Sequence, residues 1–167
     1  MLAMINGGFI RGDRLYKSGS TFTVRDVLNE LPFARTMKVL EIEGYHLKSA
    51  MAQQFMGSSR GPTGAYPHLS SNARLTYSLI TELDGSEDIN IESFTVDNVQ
   101  VLDAQKYLIA VTCFVAGGNE GCTSWLQSNC VQNSAWDDVN MSCILLKYLQ
   151  SNSVIHPVLE DRVKKIN

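Results

Sequence analysis

Two glycine-rich segments, far apart in the sequence, carry side chains suited to binding a small polar ligand. The first is Asn6-Gly7-Gly8-Phe9-Ile10-Arg11. Its glycine pair permits positive φ or a close approach of the backbone to a ligand. The amide of Asn6 can hydrogen-bond to a flat heterocycle, and the guanidinium of Arg11 can hold a hydroxyl, carboxylate or phosphate. Alone, the segment is equally compatible with an ordinary turn followed by an exposed arginine.

The second segment follows an apolar run. Residues Tyr107–Val115 are nearly all apolar, which predicts a central strand buried on both faces. They lead directly into Ala116-Gly117-Gly118-Asn119-Glu120-Gly121. In open α/β sheets, ligands bind where a strand ends in such a turn. The sequence therefore predicts a second ligand loop here.

Signatures of catalysis are missing from the sequence. There is no Gly-x-Ser-x-Gly nucleophile elbow, and Asp13 stands where a phosphate-binding loop with the spacing of Gly7 and Gly12 requires lysine. Cys113 lies within the predicted apolar strand, so we interpret it as a buried, inert thiol rather than a nucleophile. The three histidines are scattered, and no Cys-x-x-Cys pair or two-metal cluster is present.

The redox state of the cysteines stays open at this point. Cys122 and Cys130 flank a polar stretch and would form a disulfide in a secreted protein. Free thiols in a reducing compartment are the equal alternative.

Composition indicates one globular domain, residues 1–167, with 44% apolar residues and a net charge of −3. The charge shows no basic excess, which argues against a nucleic-acid partner. No apolar run reaches the roughly 18 residues of a membrane span. The first four residues are too short for the apolar core of a signal peptide. Because the chain begins directly at its ligand loop, we expect it to be a fragment of a longer protein.

The helices and strands that must position the two loops are predicted from the spacing of apolar residues and from the positions of turn-forming residues. Thr23 is predicted to cap a helix with Asp26 in its first turn. Residues 81–90 are predicted to be an acidic turn, and residues 122–134 a polar loop. Trp125 and Trp136 lie in or beside this loop and suggest a packing anchor or an interface. The class is α/β, or mixed α+β, with a mixed sheet flanked by helices. Predicted helices span 24–30, 45–55 and 137–149, and predicted strands span 37–43, 74–80, 94–102, 107–115 and, as an edge strand, 158–166.

Taken together and in order, these motifs resemble the C-terminal domain of the 5′-nucleotidase family, whose secreted or periplasmic members hydrolyse nucleotides and UDP-sugars. The similarity spans nearly the whole chain. The segments that carry it are Asn6–Arg11, Thr21–Leu28, Leu31-Pro32-Phe33, Val39–Gly44 with Leu47-Lys48, Gly64–Ser70, Phe114–Gly121, and Pro157 with Glu160 and Arg162.

The resemblance implies a division of labour. In the family, an N-terminal metallophosphoesterase domain holds two divalent metals and performs the chemistry. The C-terminal domain binds the nucleoside and delivers the phosphate by a domain rotation. We therefore expect nucleotide catabolism by the parent protein, no cofactor and no activity in this chain alone. The resemblance favours a secreted, periplasmic or cell-surface location.

The resemblance also implies residue roles. Asn6 would face the base and Arg11 the ribose or phosphate. Phe114 would stack on the base, and either Asn119 or Glu120 would take the place of the family's ribose-binding aspartate. A stacking aromatic contributes about 1–3 kcal/mol per base, and a plain core position is the equal alternative for Phe114, which closes an apolar run. The implied substrate-binding residues are Asn6, Gly8, Arg11, Phe114, Gly118, Asn119 and Glu120.

The sequence departs from the family pattern in several places. The second aromatic that often sandwiches the base is replaced by Met37, a poorer stacking surface, so Met37 or Phe33 is the possible second base contact, with Tyr66 as an alternative to Phe33. Phe9 replaces the third glycine of the family's triplet, and Glu is one methylene longer than Asp.

Four arginines differ in expected role. A further arginine that the family supplies before this stretch would lie outside the chain, with Arg60 as a local candidate. Arg25 and Arg35 are interpreted as solvated surface cations, and Arg11 has a plain surface position as its alternative.

Three functions are compatible with these observations. The first is the nucleotide-recognition domain of a metal-dependent 5′-nucleotidase. The second is an interaction or homodimerisation module that kept the fold but lost the site; Phe9, Met37 and the altered second loop favour it, with Trp125 as its expected contact. The third and weakest is a self-sufficient enzyme.

Overall fold

The computed structural model of the chain describes residues 1–56, 63–136 and 139–166. The strands are β1 (Leu2–Asn6), β2 (Met37–Glu43), β3 (Pro67–Leu69), β4 (Ala73–Thr81), β5 (Glu87–Val96), β6 (Val99–Gln100), β7 (Lys106–Thr112), β8 (Asn129–Cys130) and β9 (Val163–Lys165). The α-helices are α1 (Val24–Glu30), α2 (Gly44–Met56), α3 (Cys113–Ala116) and α4 (Met141–Ser151), and 3-10 turns cover Gly7–Phe9, Asn119–Gly121 and Thr123–Gln127.

Two mixed sheets organise the described residues. The five-stranded sheet has the order β3-β1-β7-β2-β8, and the four-stranded sheet has the order β6-β5-β4-β9. Strand β7 is central, parallel to β1 and antiparallel to β2. Since β1 and β7 run in the same direction, their carboxyl ends meet at one edge, which brings both predicted ligand loops together. The predicted mixed α/β class and the central position of β7 are confirmed.

The core lies between the sheets and α2. Leu47, Ala50, Met51 and Phe55 form the buried face of α2 at helical spacing. They pack in one apolar cluster with side chains of both sheets. Burial of these side chains at about 1.5–3 kcal/mol each fixes the sheet edge that carries the loops.

Helix α1 begins at a capping box, as predicted. The Thr23 hydroxyl accepts from the Asp26 backbone N–H (3.2 Å), and the Thr23 backbone N–H donates to the Asp26 carboxylate (2.8 Å). At the other end of the helix, the Glu30 carbonyl accepts from the Arg11 backbone N–H (2.9 Å). The helix therefore anchors the chain that leaves the first ligand loop.

The predicted strand 94–102 is wrong, because a two-residue turn interrupts it. Asp97 and Asn98 both have positive φ (52° and 63°). This reverses the chain between β5 and β6 as a tight hairpin, a conformation that Asp and Asn tolerate. The predicted acidic turn is also shorter than expected, since β4 and β5 pair as far as Thr81 and Glu87.

The central strand ends earlier than predicted. Thr112 is the N-cap of α3, and its hydroxyl accepts from the Val115 N–H (3.3 Å). Cys113 is therefore exposed at the start of a helical turn, not buried in a strand. All four cysteines are free, including Cys122 and Cys130.

Two more predictions change in the C-terminal third. The predicted polar loop contains a 3-10 turn and β8, and Trp125 in that turn is fully buried (0% exposed). The last helix is Met141–Ser151 rather than 137–149, and residues 137 and 138 lie outside the described residues. The predicted edge strand is confirmed in shorter form as β9, which pairs with β4. No helix within the described ranges is long and apolar enough to cross a membrane.

Candidate functional site

The first loop is held by backbone hydrogen bonds to the segment before β3. The Gly7 N–H donates to the Tyr66 carbonyl (2.7 Å), and the Gly8 N–H donates to the Gly64 carbonyl (2.8 Å). A Cβ atom on Gly8 would lie only 2.9 Å from the Gly64 Cα. Glycine is therefore required at position 8 because two backbone segments touch there.

Asn6 lines the space beside this loop and is almost entirely buried. Its side chain is 4% exposed, and its Nδ2 donates to the Gly64 carbonyl (3.0 Å). Its Oδ1 is buried with no hydrogen-bond partner in the described part of the chain. A buried acceptor without a partner costs about 1–3 kcal/mol, so a bound donor would recover that free energy.

The second loop turns sharply with left-handed backbone conformations. Gly118 (φ 67°), Glu120 (φ 59°) and Gly121 (φ 78°) all have positive φ, of which only Glu120 carries a side chain. The Asn119 amide Nδ2 donates back to the Phe114 carbonyl (2.6 Å) and caps α3. The Asn119 side chain therefore points back onto its own loop. The Glu120 side chain instead lines the space beside the first loop.

Two aromatic rings and a guanidinium complete the arrangement. Phe33 follows α1, and Phe114 belongs to α3 at the end of β7. The Cζ of Arg35 lies 4.1 Å from the Phe114 ring centroid and 5.5 Å from that of Phe33. The Cζ of Arg11 lies 5.3 Å from the Phe33 centroid. Both guanidinium groups are within cation–π range of a ring.

These side chains surround one cleft between the two loops, with a cavity volume of about 60 Å³ in this conformation. It contains two guanidinium groups, one carboxylate, a buried amide oxygen and two aromatic faces. Flat apolar surfaces combined with a few polar groups are typical of small-ligand sites. The lining residues are Asn6, Gly8, Phe9, Arg11, Phe33, Arg35, Phe114 and Glu120.

Of the predicted site residues, Asn6, Gly8, Arg11, Phe114, Glu120 and Phe33 line the cleft, whereas three do not. Gly118 packs toward Leu126, and Asn119 bonds to its own loop. Met37 is 3% exposed and clusters with Val39 and Ala110 away from the cleft.

Met37, predicted as a possible base contact, lies outside the cleft lining in this structure. Side chains at alternating positions of a strand share a face, so Met37 points with Val39 into the small cluster on β2. Phe33 lines the cleft instead, and Tyr66 packs edge-on against Phe55, with ring centroids 5.7 Å apart. Arg60 lies outside the described residues.

Arg35 was missed by sequence reasoning, which assigned it to the solvated surface. It is half-buried and lines the cleft between the two rings. The only available signal was its position two residues after Phe33, in the loop that enters β2. A loop that presents an aromatic ring to a site also presents its neighbours.

The candidate site has limited chemical capacity of its own. No group of three or more His, Cys, Asp or Glu side chains that could hold a metal exists within residues 1–56, 63–136 and 139–166. Cys122 lies buried behind the second loop, and burial, with a smaller contribution from Glu120, raises its pKa to about 11. That thiol stays protonated at neutral pH. The cleft can bind and orient a ligand, but these residues do not fit a two-metal centre.

Comparison with known proteins finds relatives along nearly the whole chain. The chain is 26% identical to the trifunctional nucleotide phosphoesterase protein YfkN of Bacillus subtilis over 99% of this chain and 11% of that protein. It is 28% identical to the NAD 5′-nucleotidase of Haemophilus influenzae over 72% of this chain and 20% of that protein. The chain thus spans at most about a fifth of these two relatives.

A solved structure has the same fold. The 5′-nucleotidase precursor from Thermus thermophilus superposes with a TM-score of 0.79 and 23% identity, over 99% of this chain and 31% of that one. The profile of the family described as 5′-nucleotidase, C-terminal domain, matches residues 1–128, which include both cleft loops. The chain therefore belongs to the 5′-nucleotidase C-terminal domain family.

Proposed function

We propose that this chain is the substrate-recognition domain of a metal-dependent 5′-nucleotidase, which hydrolyses nucleoside 5′-monophosphates to nucleoside and phosphate. The observation that carries the proposal is the cleft whose lining combines Phe33 and Phe114 with the Asn6 amide and the Glu120 carboxylate. A nucleoside has the matching parts: a flat base, exocyclic donors and a diol.

Each lining group has a role in this proposal. Phe33 and Phe114 stack on the base, at about 1–3 kcal/mol per stacked face. The unpartnered Oδ1 of Asn6 accepts from a donor on the edge of the base. The Glu120 carboxylate accepts from the ribose hydroxyls. Arg11, at the mouth of the cleft, pairs with the phosphate.

Bond cleavage is assigned to a different domain of the parent protein. Two divalent metals in an N-terminal metallophosphoesterase domain would activate the attacking water and neutralise charge on the phosphate. This chain's own residues bind the nucleoside and orient its 5′ position toward that domain. We infer that the isolated chain binds nucleotides and releases no phosphate from them.

The alternative of a homodimerisation module has no comparable support. Its expected contact, Trp125, is fully buried in the core and offers no surface to a partner. By contrast, the cleft has two aromatic rings, two guanidinium groups and a carboxylate along one lining, a combination typical of small-ligand sites.

Titration calorimetry with adenosine and AMP tests the proposal. We expect saturable binding that weakens by about 10-fold or more in Phe114→Leu, as the loss of one stacking ring predicts. The matched control is Phe22→Leu, since Phe22 is half-buried against Tyr16 (ring centroids 4.6 Å apart) outside the cleft. Absence of binding at millimolar nucleotide, or equal weakening by both substitutions, would contradict it.

A further inference from the structure

Arg35 occupies the space between the two rings of the cleft. Its Cζ is 4.1 Å from the Phe114 centroid, the distance of a stacked guanidinium, and 5.5 Å from that of Phe33. A guanidinium is planar and stacks on aromatic faces as a base does. In this structure Arg35 therefore fills the position that a flat ligand would take on Phe114.

The charges that line the cleft decide which ligands can replace the Arg35 guanidinium on the Phe114 ring. Among the described lining residues, Arg11 and Arg35 are the cations and Glu120 is the only carboxylate. Within the described residues, no ion pair joins Arg35 to an acidic side chain. Among the contacts of the described residues, the guanidinium is thus held mainly by the rings, and Glu120, which the proposed function assigns to the ribose, is not paired with it.

We propose that Arg35 is a specificity-determining residue of the cleft, which fills the stacking position between Phe33 and Phe114 until a ligand that is both flat and anionic takes its place. This inference rests on the proposed function and deepens it. A neutral nucleoside displaces Arg35 from the rings and supplies no charged group that can pair with its guanidinium. A nucleotide displaces it and supplies a phosphate with which the guanidinium can pair. Arg35 therefore favours nucleotides over nucleosides.

The test measures adenosine and AMP affinities by calorimetry for the wild-type chain and Arg35→Ala. Without the competing guanidinium, adenosine affinity rises roughly 2- to 30-fold, the fold-change that matches a cation–π contact. AMP gains less or weakens, because it also loses a charge partner, so the ratio of AMP to adenosine affinity falls. Arg25→Ala is the matched control: this exposed arginine on α1 lies outside the cleft lining, and its removal leaves the ratio unchanged.

A ligand-free measurement checks the stacked arrangement directly. In the NMR spectrum of the wild-type chain, ring currents of Phe114 shift the Arg35 Nε–H resonance upfield, and Phe114→Leu removes that shift. A resonance insensitive to Phe114→Leu would overturn the inference.

The outcomes separate this inference from the proposed function. Weaker adenosine binding in Arg35→Ala, or an unchanged ratio of the two affinities, overturns the role of Arg35 while nucleoside recognition stands. If neither adenosine nor AMP binds the wild-type chain or Arg35→Ala, both are overturned. Higher adenosine affinity with a reduced ratio supports both.

Discussion

The two loops that form the cleft are built in opposite ways. The first is fixed by other parts of the chain: Gly7 and Gly8 donate to carbonyls near β3, and the Arg11 N–H donates to Glu30 on α1. The second is shaped from within, by positive φ at Glu120 and by Asn119 bonding to Phe114. The first loop can hold a preformed amide for the base, whereas the second carries a carboxylate on a strained turn. One side of the site is thus a loop held rigidly by other segments, and the other side is a loop with a strained backbone.

The largest effect should come from the backbone contact of the first loop. Gly8→Ala places a Cβ 2.9 Å from the Gly64 Cα, so one segment must move. We expect a loss of about 1–3 kcal/mol in the free energy of unfolding, with loss of adenosine binding. Gly7→Ala is the control, because its Cβ meets only ordinary contacts of 3.4 Å or more. Urea denaturation of both variants checks this, and equal stability would contradict the account.

The second loop should respond in the opposite direction. Glu120→Gly removes left-handed strain of about 1 kcal/mol and should raise Tm by a few degrees while it weakens adenosine binding. Glu120→Gln separates the two effects, since it removes the charge and keeps the strained backbone. Calorimetry and thermal melts distinguish them. A lower Tm for Glu120→Gly would show that the loop is not strained.

A smaller effect is expected at Asn119. Asn119→Ala removes the 2.6 Å hydrogen bond to the Phe114 carbonyl, at a cost of about 1 kcal/mol in stability. Adenosine affinity should fall less than in Glu120→Gln, because the Asn119 side chain does not line the cleft. The reverse order of affinities would assign the ribose contact to Asn119 instead.

The smallest effect concerns the helix that anchors the first loop. Hydrogen bonds from Thr23 lower the pKa of Asp26 below its ordinary value of 3.8, and Arg14 adds to the shift. A lowered folded-state pKa means that the carboxylate stabilises the fold at neutral pH and loses this contribution as pH falls through that lower value. The Tm of the wild-type chain should exceed that of Asp26→Asn at pH 7, and the gap should narrow as pH falls below about 3.8 and close below the lowered pKa of Asp26.

Asp13→Asn serves as the control for the removal of one carboxylate, since Asp13 is exposed in the connector outside α1. A gap between wild type and Asp26→Asn that stays constant with pH would remove the capping box as its cause.

Local signals explain which elements were predictable. The capping box of Thr23 and Asp26 and the helical spacing in α2 need only neighbours in sequence, and both were predicted. The end of β7 at Thr112 was missed, because apolar residues continue into α3 and periodicity cannot distinguish a buried strand from a short helix. The Asp97-Asn98 turn was the one local signal overlooked.

The site was predictable in outline but not in detail. The family resemblance indicated both loops and six of the residues that line the cleft. It left Asn119 and Glu120 undecided, because the choice depends on backbone angles of the folded loop. Arg35 lines the cleft and Met37 packs into the small cluster on β2, because only tertiary packing decides which side chains near Phe33 face the cleft.

The most direct test of nucleoside recognition is a crystal structure of the chain with AMP. The account predicts the base between Phe33 and Phe114, a base donor within about 3.2 Å of the Asn6 Oδ1, and Arg35 displaced from the ring toward the phosphate. AMP bound outside the cleft, or an Arg35 still stacked on Phe114 beside an unfilled Asn6, would contradict it.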